Sequence, residues 1–259
     1  MNWPQALLFD IDGTLADTEG EGHLPAFNRA FRDFGLDWEW DRPLYRELLA
    51  VTGGQERMRH YWRMHPPATP KGADPDELVP ALHRAKNEHF QRIVEAGALP
   101  WRPGVERLIK EAMARRIPVG VATTTSRSNV EALLEPVFGP RFQERFAVLA
   151  CADTAPNKKP APDVYLRAVE ALGLEGDRVL ALEDSRNGLE AATGAGVPTL
   201  ITVNDFTDHQ SFPEAVAVLD HLGEPGYPCR PVQGSVSPPE GVVDLAWLQS
   251  LDADSSRAK

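Results

Sequence analysis

The sequence predicts an α/β protein: a Rossmann-like parallel-sheet core with helices on both faces, interrupted by an inserted helical-bundle domain. Three observations predict it. Short apolar runs recur at Ala6–Phe9, Ile117–Thr123, Phe146–Ala150, Val179–Leu182 and Pro198–Val203, and a run this short, bounded by turn residues, reads as a strand buried on both faces. Helical patterns lie between them: Val105, Leu108, Ile109 and Ala112 keep helical spacing, as do Val164, Ala168, Val169 and Leu172. Strands alternating with helices imply a parallel sheet. From about 17 to 97 the rhythm breaks, and helical stretches such as Leu24–Phe34 and Glu77–Val94 replace the strand runs.

The 259 residues therefore divide into a core of residues 1–16 and 98–222, an insert of residues 17–97, and a Pro- and Gly-rich extension of residues 223–259 that packs on the core. Pro66-Pro67 and Pro70 to Pro75 punctuate the insert, and hinges are expected at Ala16–Gly20 and Ala98–Pro103. After about 205 the chain is turn-rich, then apolar again at Val242–Leu251.

Composition excludes several classes. A net charge of −11 disfavours a duplex-coating protein and an anionic membrane surface. No apolar run approaches the roughly 18–20 residues of a spanning helix. Met1 to Phe9 lacks a basic start and meets Asp10 and Asp12 early, unlike a signal peptide. Cys151 and Cys229 stand apart without metal spacing; two reduced thiols in a cytoplasmic protein are expected, and the chain is expected to be a monomer.

In a parallel sheet, ligands bind beyond the carboxyl ends of the strands, so the polar residues there carry the chemistry. The first run ends in Asp10-Ile11-Asp12-Gly13-Thr14. Two carboxylates at one strand end repel unless a cation or a shared proton relieves them, and Mg²⁺ accepts one or two carboxylates plus phosphate oxygens. The second ends in Thr123-Thr124-Thr125-Ser126, neutral donors suited to phosphate oxygens, or simply hydroxyl turns. Asn157-Lys158-Lys159-Pro160-Ala161-Pro162-Asp163 follows, with one lysine aimed by the proline and Asp163 placed to cap the next helix; an exposed basic loop is the other reading. Glu183-Asp184-Ser185 ends the fourth run, as a second acid pair or as the N-cap of a helix. Acid pair, hydroxyl, lysine and acid pair in this order are the parts of magnesium-assisted phosphoryl transfer.

These residues resemble the haloacid-dehalogenase-like superfamily of phosphatases, whose four motifs match Asp10–Thr14, Thr123, Lys159 and Glu183-Asp184 in order, and whose cap domain sits where the insert does. Within it the chain is similar to the CbbY-type sugar-phosphate phosphatases, which act on xylulose 1,5-bisphosphate. Leu15–Glu19, Gly53-Gly54 with Glu56-Arg57, His83–Lys86, Thr123–Asn129 and Lys159–Asp163 carry the likeness, which extends to about residue 222. It implies Asp10 as nucleophile, Asp12 as general acid and base, and Thr123 and Lys159 on the transferring oxygens. It implies Mg²⁺ held by Asp10, the Asp12 carbonyl and Asp184, with Glu183 behind them.

Substrate contacts are implied at Glu19, Gly53, Gly54, Gln55, Glu56 and Arg57, at His83, Arg84 and Lys86, and at Thr124, Thr125, Ser126, Arg127 and Asn129. Gln55 departs from the lysine common there. A solvated charged face is the other reading for His83–Lys86, and plain surface for Arg57 with Arg59. A β-phosphoglucomutase-like enzyme is the nearest competitor, followed by a generalist sugar-phosphate phosphatase. A non-catalytic receiver-type switch fits neither the length nor the large insert, and phosphonate cleavage wants a lysine earlier than Lys71.

Overall fold

β1 (Ala6–Phe9), β2 (Val119–Ala122), β3 (Val148–Ala150), β4 (Val179–Glu183), β5 (Thr199–Thr202), β6 (Ala217–Leu219) and β7 (Pro231–Gln233) form one sheet in the order β3-β2-β1-β4-β5-β6-β7. The structure is a computed structural model that describes residues 3–65, 73–97 and 99–251; Pro66-Pro67, Lys71 and Ala98, named above, lie outside them. Every neighbouring pair is parallel except β6–β7. Phe9 stands opposite both Val121 and Leu182, and Leu182 opposite Leu200. This register brings the carboxyl ends of β2, β1, β4 and β5 level, so the residues that follow them meet at one edge.

The strands form because their residues are mostly apolar: every residue of β1, β2, β4 and β5 is buried, with Glu183, Thr199 and Thr202 the polar ones among them. Removing a side chain such as Leu7 or Phe9 from water stabilises by about 1.5–3 kcal/mol. The crossover helices are α5 (Val105–Ala114), α6 (Arg127–Phe138), α7 (Asp163–Leu172) and α8 (Arg186–Gly194). Val164, Tyr165 and Ala168 of α7 pack with Ala191 and Ala192 of α8 against Leu8, Ala122 and Ala181.

The chain divides into two units, Met1–Ala16 with Trp101–Lys259, and Asp17–Pro100. Residues after 205 belong to the first. β6 continues the parallel sheet, and β7 adds an antiparallel edge strand whose Pro231 only an edge tolerates. A final helix, Leu245–Ser250, is capped by Asp244, buries Leu245, Trp247 and Leu248, and packs on α5. Cys151 and Cys229 are free and buried, and burial pushes both thiols up to about 11.

The second unit holds α1 (Leu24–Asp33), α2 (Arg42–Leu48), α3 (Gly54–Met64) and α4 (Pro75–Glu95). A π-helical turn, Glu19–His23, leads into α1. Phe27, Phe31, Trp38, Trp40, Tyr45 and Tyr61 form its aromatic interior. Asn28 fixes the α1–α2 connection by donating to Trp40 O (2.7 Å) and accepting from Trp40 N (2.8 Å). Among the described residues, no helix is long and apolar enough to cross a membrane.

Candidate active site

Asp10 follows β1 and is buried, its backbone N–H still donating to Leu182 O (3.0 Å). Lys159 is buried too, and its ammonium spends all three hydrogens on protein oxygens: Asp10 Oδ1 (2.7 Å), Glu183 Oε1 (2.5 Å) and Ala122 O (2.8 Å). The exposed-loop reading holds for Lys158 and fails for Lys159. Burial pulls the Lys159 ammonium toward neutrality, and the charges of Asp10 and Glu183 more than reverse that, leaving its pKa above the usual lysine value.

Glu183 ends β4 with no exposed surface. Its Oε1 also accepts from Tyr165 Oη (2.5 Å), while among the described residues Oε2 has no hydrogen-bond partner. The fit is close: a Cβ on Gly188 would lie 1.9 Å from that oxygen, so only glycine is accommodated there. Asp184 is buried beside it. Ser185, not Asp184, makes the helix cap, accepting from Gly188 N (3.1 Å). The expected Asp163 cap is a correction: the chain enters α7 with Pro162 in the cap position, and Asp163 Oδ1 accepts from Asn157 Nδ2 (2.9 Å) instead.

Asp10, Glu183 and Asp184 each offer an oxygen within 4.8 Å of the others. Three buried carboxylates with one lysine leave excess negative charge. Burial, with repulsion from Glu183 and Asp12, pushes Asp10 up to about 7 against the pull of Lys159. Burial and the charges of Asp10 and Glu183 push Asp184 well above the carboxylate range. An all-oxygen, over-charged, buried donor set, with a Glu183 oxygen unpartnered among the described residues, fits a hard divalent cation. Asp12 is partly exposed and lies outside this triad, so its expected share in the metal is not through a clustered carboxylate. The hydroxyl of Thr14 is buried and has no hydrogen-bond partner among the described residues.

Thr123 follows β2. Its Oγ1 accepts from Thr125 N (3.3 Å), which is the hydroxyl turn, yet its own O–H remains a donor. Asn129 Nδ2 donates to Thr125 Oγ1 (3.0 Å), and Ser126 caps α6. Thr124 is partly exposed; Arg127 is exposed and paired with Glu131.

In the inserted unit, Glu19 Oε2 accepts from Tyr45 Oη (2.5 Å), and Tyr45 Oη accepts from Arg57 Nη1 (3.1 Å). Arg57 also donates to Leu48 O (3.2 Å) and is buried, so it is not plain surface. Lys86 is buried over the rings of Phe27 and Phe90, with Nζ 3.0 Å from His23 Nδ1. An ammonium only donates, so His23 Nδ1 is the acceptor. This corrects the solvated-face reading for Lys86, while Arg84 is exposed as that reading has it. His83 lies against Gly54, whose Cβ would come within 2.8 Å of the imidazole. Gly53 is the N-cap residue of α3, at φ +100°. Gln55 is paired with Arg59 along the helix, and Glu56 is exposed.

Sequence reasoning missed Tyr165, Asn204 and Arg102 in the core and His23 and Tyr45 in the insert. Asn204 Nδ2 donates to Asp184 Oδ2 (2.7 Å). It follows β5, and a search of polar residues at strand ends extended to that strand would have found it.

Comparison with known proteins agrees with this geometry. Residues 4–196 match the haloacid dehalogenase-like hydrolase family. The chain is 52% identical over 224 residues to the plasmid-borne CbbY protein of Cupriavidus necator, covering 86% of this chain and 88% of that one. It superposes with a TM-score of 0.76 on a mutant CbbY from Rhodobacter sphaeroides in complex with xylulose-(1,5)bisphosphate, at 43% identity over 85% of this chain and 95% of that chain. A putative β-phosphoglucomutase from Thermotoga maritima superposes at 0.61 with 28% identity, over 82% and 93% of the two chains. The chain belongs to the haloacid dehalogenase-like hydrolases and, within them, is a phosphatase of the CbbY type.

Proposed function

We propose that the protein is a Mg²⁺-dependent phosphatase that hydrolyses xylulose 1,5-bisphosphate to xylulose 5-phosphate. The observation that carries the chemistry is the convergence of Asp10, Lys159, Glu183 and Asp184 in one buried cluster at the strand ends. Similarity to a CbbY protein bound to xylulose-(1,5)bisphosphate supports the substrate.

An Asp10 carboxylate oxygen attacks the phosphorus in line, and the bond from phosphorus to the sugar oxygen breaks as Asp12 gives that oxygen a proton. The product is an aspartyl-phosphate on Asp10. Asp12 then removes a proton from a water that attacks the same phosphorus, releasing inorganic phosphate and regenerating the Asp10 carboxylate. Lys159 draws Asp10 toward its ionised form against the effect of burial, and the Thr123 hydroxyl donates to a transferring oxygen. Asp10, Asp184 and the Asp12 carbonyl would hold Mg²⁺, with Glu183 behind them; bound there, it screens the repulsion between nucleophile and phosphate. Because Lys159 has all its hydrogens engaged, a phosphate oxygen replaces one of its three acceptors.

The insert acts as a cap that excludes water and reads the sugar. Its buried cations, Arg57 and Lys86, match a substrate with a second phosphate better than one with a single phosphate. Phosphate release across a panel with Mg²⁺ tests the assignment, using xylulose 1,5-bisphosphate, ribulose 1,5-bisphosphate and glucose 1-phosphate. Xylulose 1,5-bisphosphate is expected to lead by at least an order of magnitude in kcat/KM, a gap of about 1.4 kcal/mol. Equal slow rates indicate a generalist, and glucose 6-phosphate without free phosphate indicates a mutase.

A further inference from the structure

Two residues with no part in that chemistry converge on its acidic cluster. Asn204 is held in one orientation: its Oδ1 accepts from Phe206 N (2.9 Å) and its N–H donates to Thr207 Oγ1 (3.0 Å). The amide nitrogen therefore faces Asp184 Oδ2 at 2.7 Å and Gly13 O at 3.3 Å. Asp184 Oδ2 is thereby engaged, and among the described residues Oδ1 receives no donor.

Arg102 shares the Gly13 carbonyl with Asn204. Its Nη1 donates to Gly13 O (2.5 Å) and Thr202 O (2.7 Å), and its Nη2 to Val203 O and Asp220 O (both 2.6 Å). One guanidinium thus ties the chain after β1 to the chain after β5 and β6. The turn it holds has no slack: Gly13 sits at φ +80°, and a Cβ there would lie 2.4 Å from Asp184 Oδ2 and 2.7 Å from Asn204 Nδ2.

We propose that Asn204 and Arg102 are positioning residues for the divalent cation, Asn204 by fixing the rotation of the Asp184 carboxylate and Arg102 by fixing the Gly13 turn against it. The inference rests on the metal-binding reading above. A carboxylate side chain rotates through a broad range at its last torsion, and a donor on one oxygen selects the rotation that presents the other. Partners of this kind behind metal ligands change affinity by about 10–100-fold when lost.

The test is calorimetric titration of Mg²⁺ into the full-length, chelator-stripped protein, with thermal melts in EDTA alongside. Asn204→Ser keeps an acceptor for Phe206 N and loses the reach to Asp184; Arg102→Lys keeps the charge and loses the fork. Each is expected to bind Mg²⁺ about tenfold more weakly or worse. The Asn204→Ser melt in EDTA should stay close to wild type, the Arg102→Lys melt should fall by less than its loss of Mg²⁺ affinity accounts for, and saturating Mg²⁺ should restore most of the turnover of both. Affinity within twofold of a wild type that binds Mg²⁺ overturns the inference and leaves the phosphatase reading intact. Loss of affinity that only tracks a lowered melt in EDTA also overturns it, since the residues are then merely structural. A wild type that binds no Mg²⁺ overturns both. Should Asn204→Ser fail to fold, Arg102→Lys is read by the same criteria.

Discussion

The Lys159 ammonium lies 2.7 Å from Asp10 Oδ1, an ion pair between two buried side chains. Removing one partner of a buried pair leaves the other uncompensated, at a cost of about 3–5 kcal/mol. Lys159→Met is expected to lose that much in urea unfolding without metal, because Asp10 and Glu183 then face each other with no cation between them. Turnover should fall by about 10²–10³-fold, the scale for loss of a group that stabilises developing charge. A variant as stable as wild type would show that the carboxylates are neutral in the folded protein.

Asp10→Asn keeps the shape of the side chain and removes the nucleophile. Turnover below a few per cent of wild type is expected, together with a melting temperature in EDTA no lower than wild type, since one of three crowded acids is gone. Phosphate release above a few per cent rules out the covalent route.

Tyr165 donates to Glu183 Oε1 at 2.5 Å, and burial first, then the Glu183 and Asp10 charges, hold its hydroxyl protonated far above the usual range. Tyr165→Phe leaves Lys159 as the remaining donor to that oxygen. A loss of about 1.5–3 kcal/mol is expected, the usual value for a hydrogen bond to a charged group. Lys159 should shift toward Glu183 and away from Asp10, lowering kcat several-fold with KM little changed. Equal changes in kcat and KM would contradict this.

The acidic cluster makes stability depend on pH. The folded-state carboxyl of Asp10 sits near 7 rather than 3.8, and that of Asp184 is also raised, both chiefly by burial. Between about pH 4 and 7 the folded chain therefore holds protons that the unfolded chain has released, so stability from these groups is present at low pH and lost as pH rises. In EDTA the melting temperature should fall from pH 5 to pH 7.5. Added Mg²⁺ should raise it more at pH 7.5 than at pH 5, because metal and proton compete for the same oxygens. Scanning fluorimetry reads both effects, and a flat profile in EDTA would contradict the raised values.

Arg57 tests the role given to the insert. Arg57→Met should raise KM for a sugar bisphosphate about tenfold or more, the equivalent of a charged hydrogen bond, and leave KM for a monophosphate nearly unchanged. Equal effects on both substrates would remove Arg57 from the second-phosphate site.

What the sequence made legible follows from how far each signal reaches along the chain. Ala6–Phe9 and Asp10 are readable together because strand and acid are adjacent, and β2 and β4 carry their site residues the same way. The β6 strand was missed because three apolar residues, Ala217–Leu219, sit among turn residues, and β7 because Pro231 argues against any strand but an edge. Tyr165 and Arg102 leave no local trace: each acts on oxygens far away in sequence, Arg102 on Asp220 and Tyr165 on Glu183. Tyr45, which links Glu19 to Arg57, reads from sequence as one more aromatic core residue.

Ala16 and Trp101 are paired as an antiparallel bridge, and Arg102 N–H donates to Leu15 O at 2.9 Å. The polypeptide thus leaves the first unit after β1 and returns to it at a neighbouring position before β2. Paired residues of this kind stand about 4.5–5.5 Å apart, a gap that a two-residue turn spans. Everything from Asp17 to Pro100 is in that sense a detour. Its length is free of the strand order, so, on the function proposed above, the reaction and the choice of what reacts fall on separable stretches of one chain.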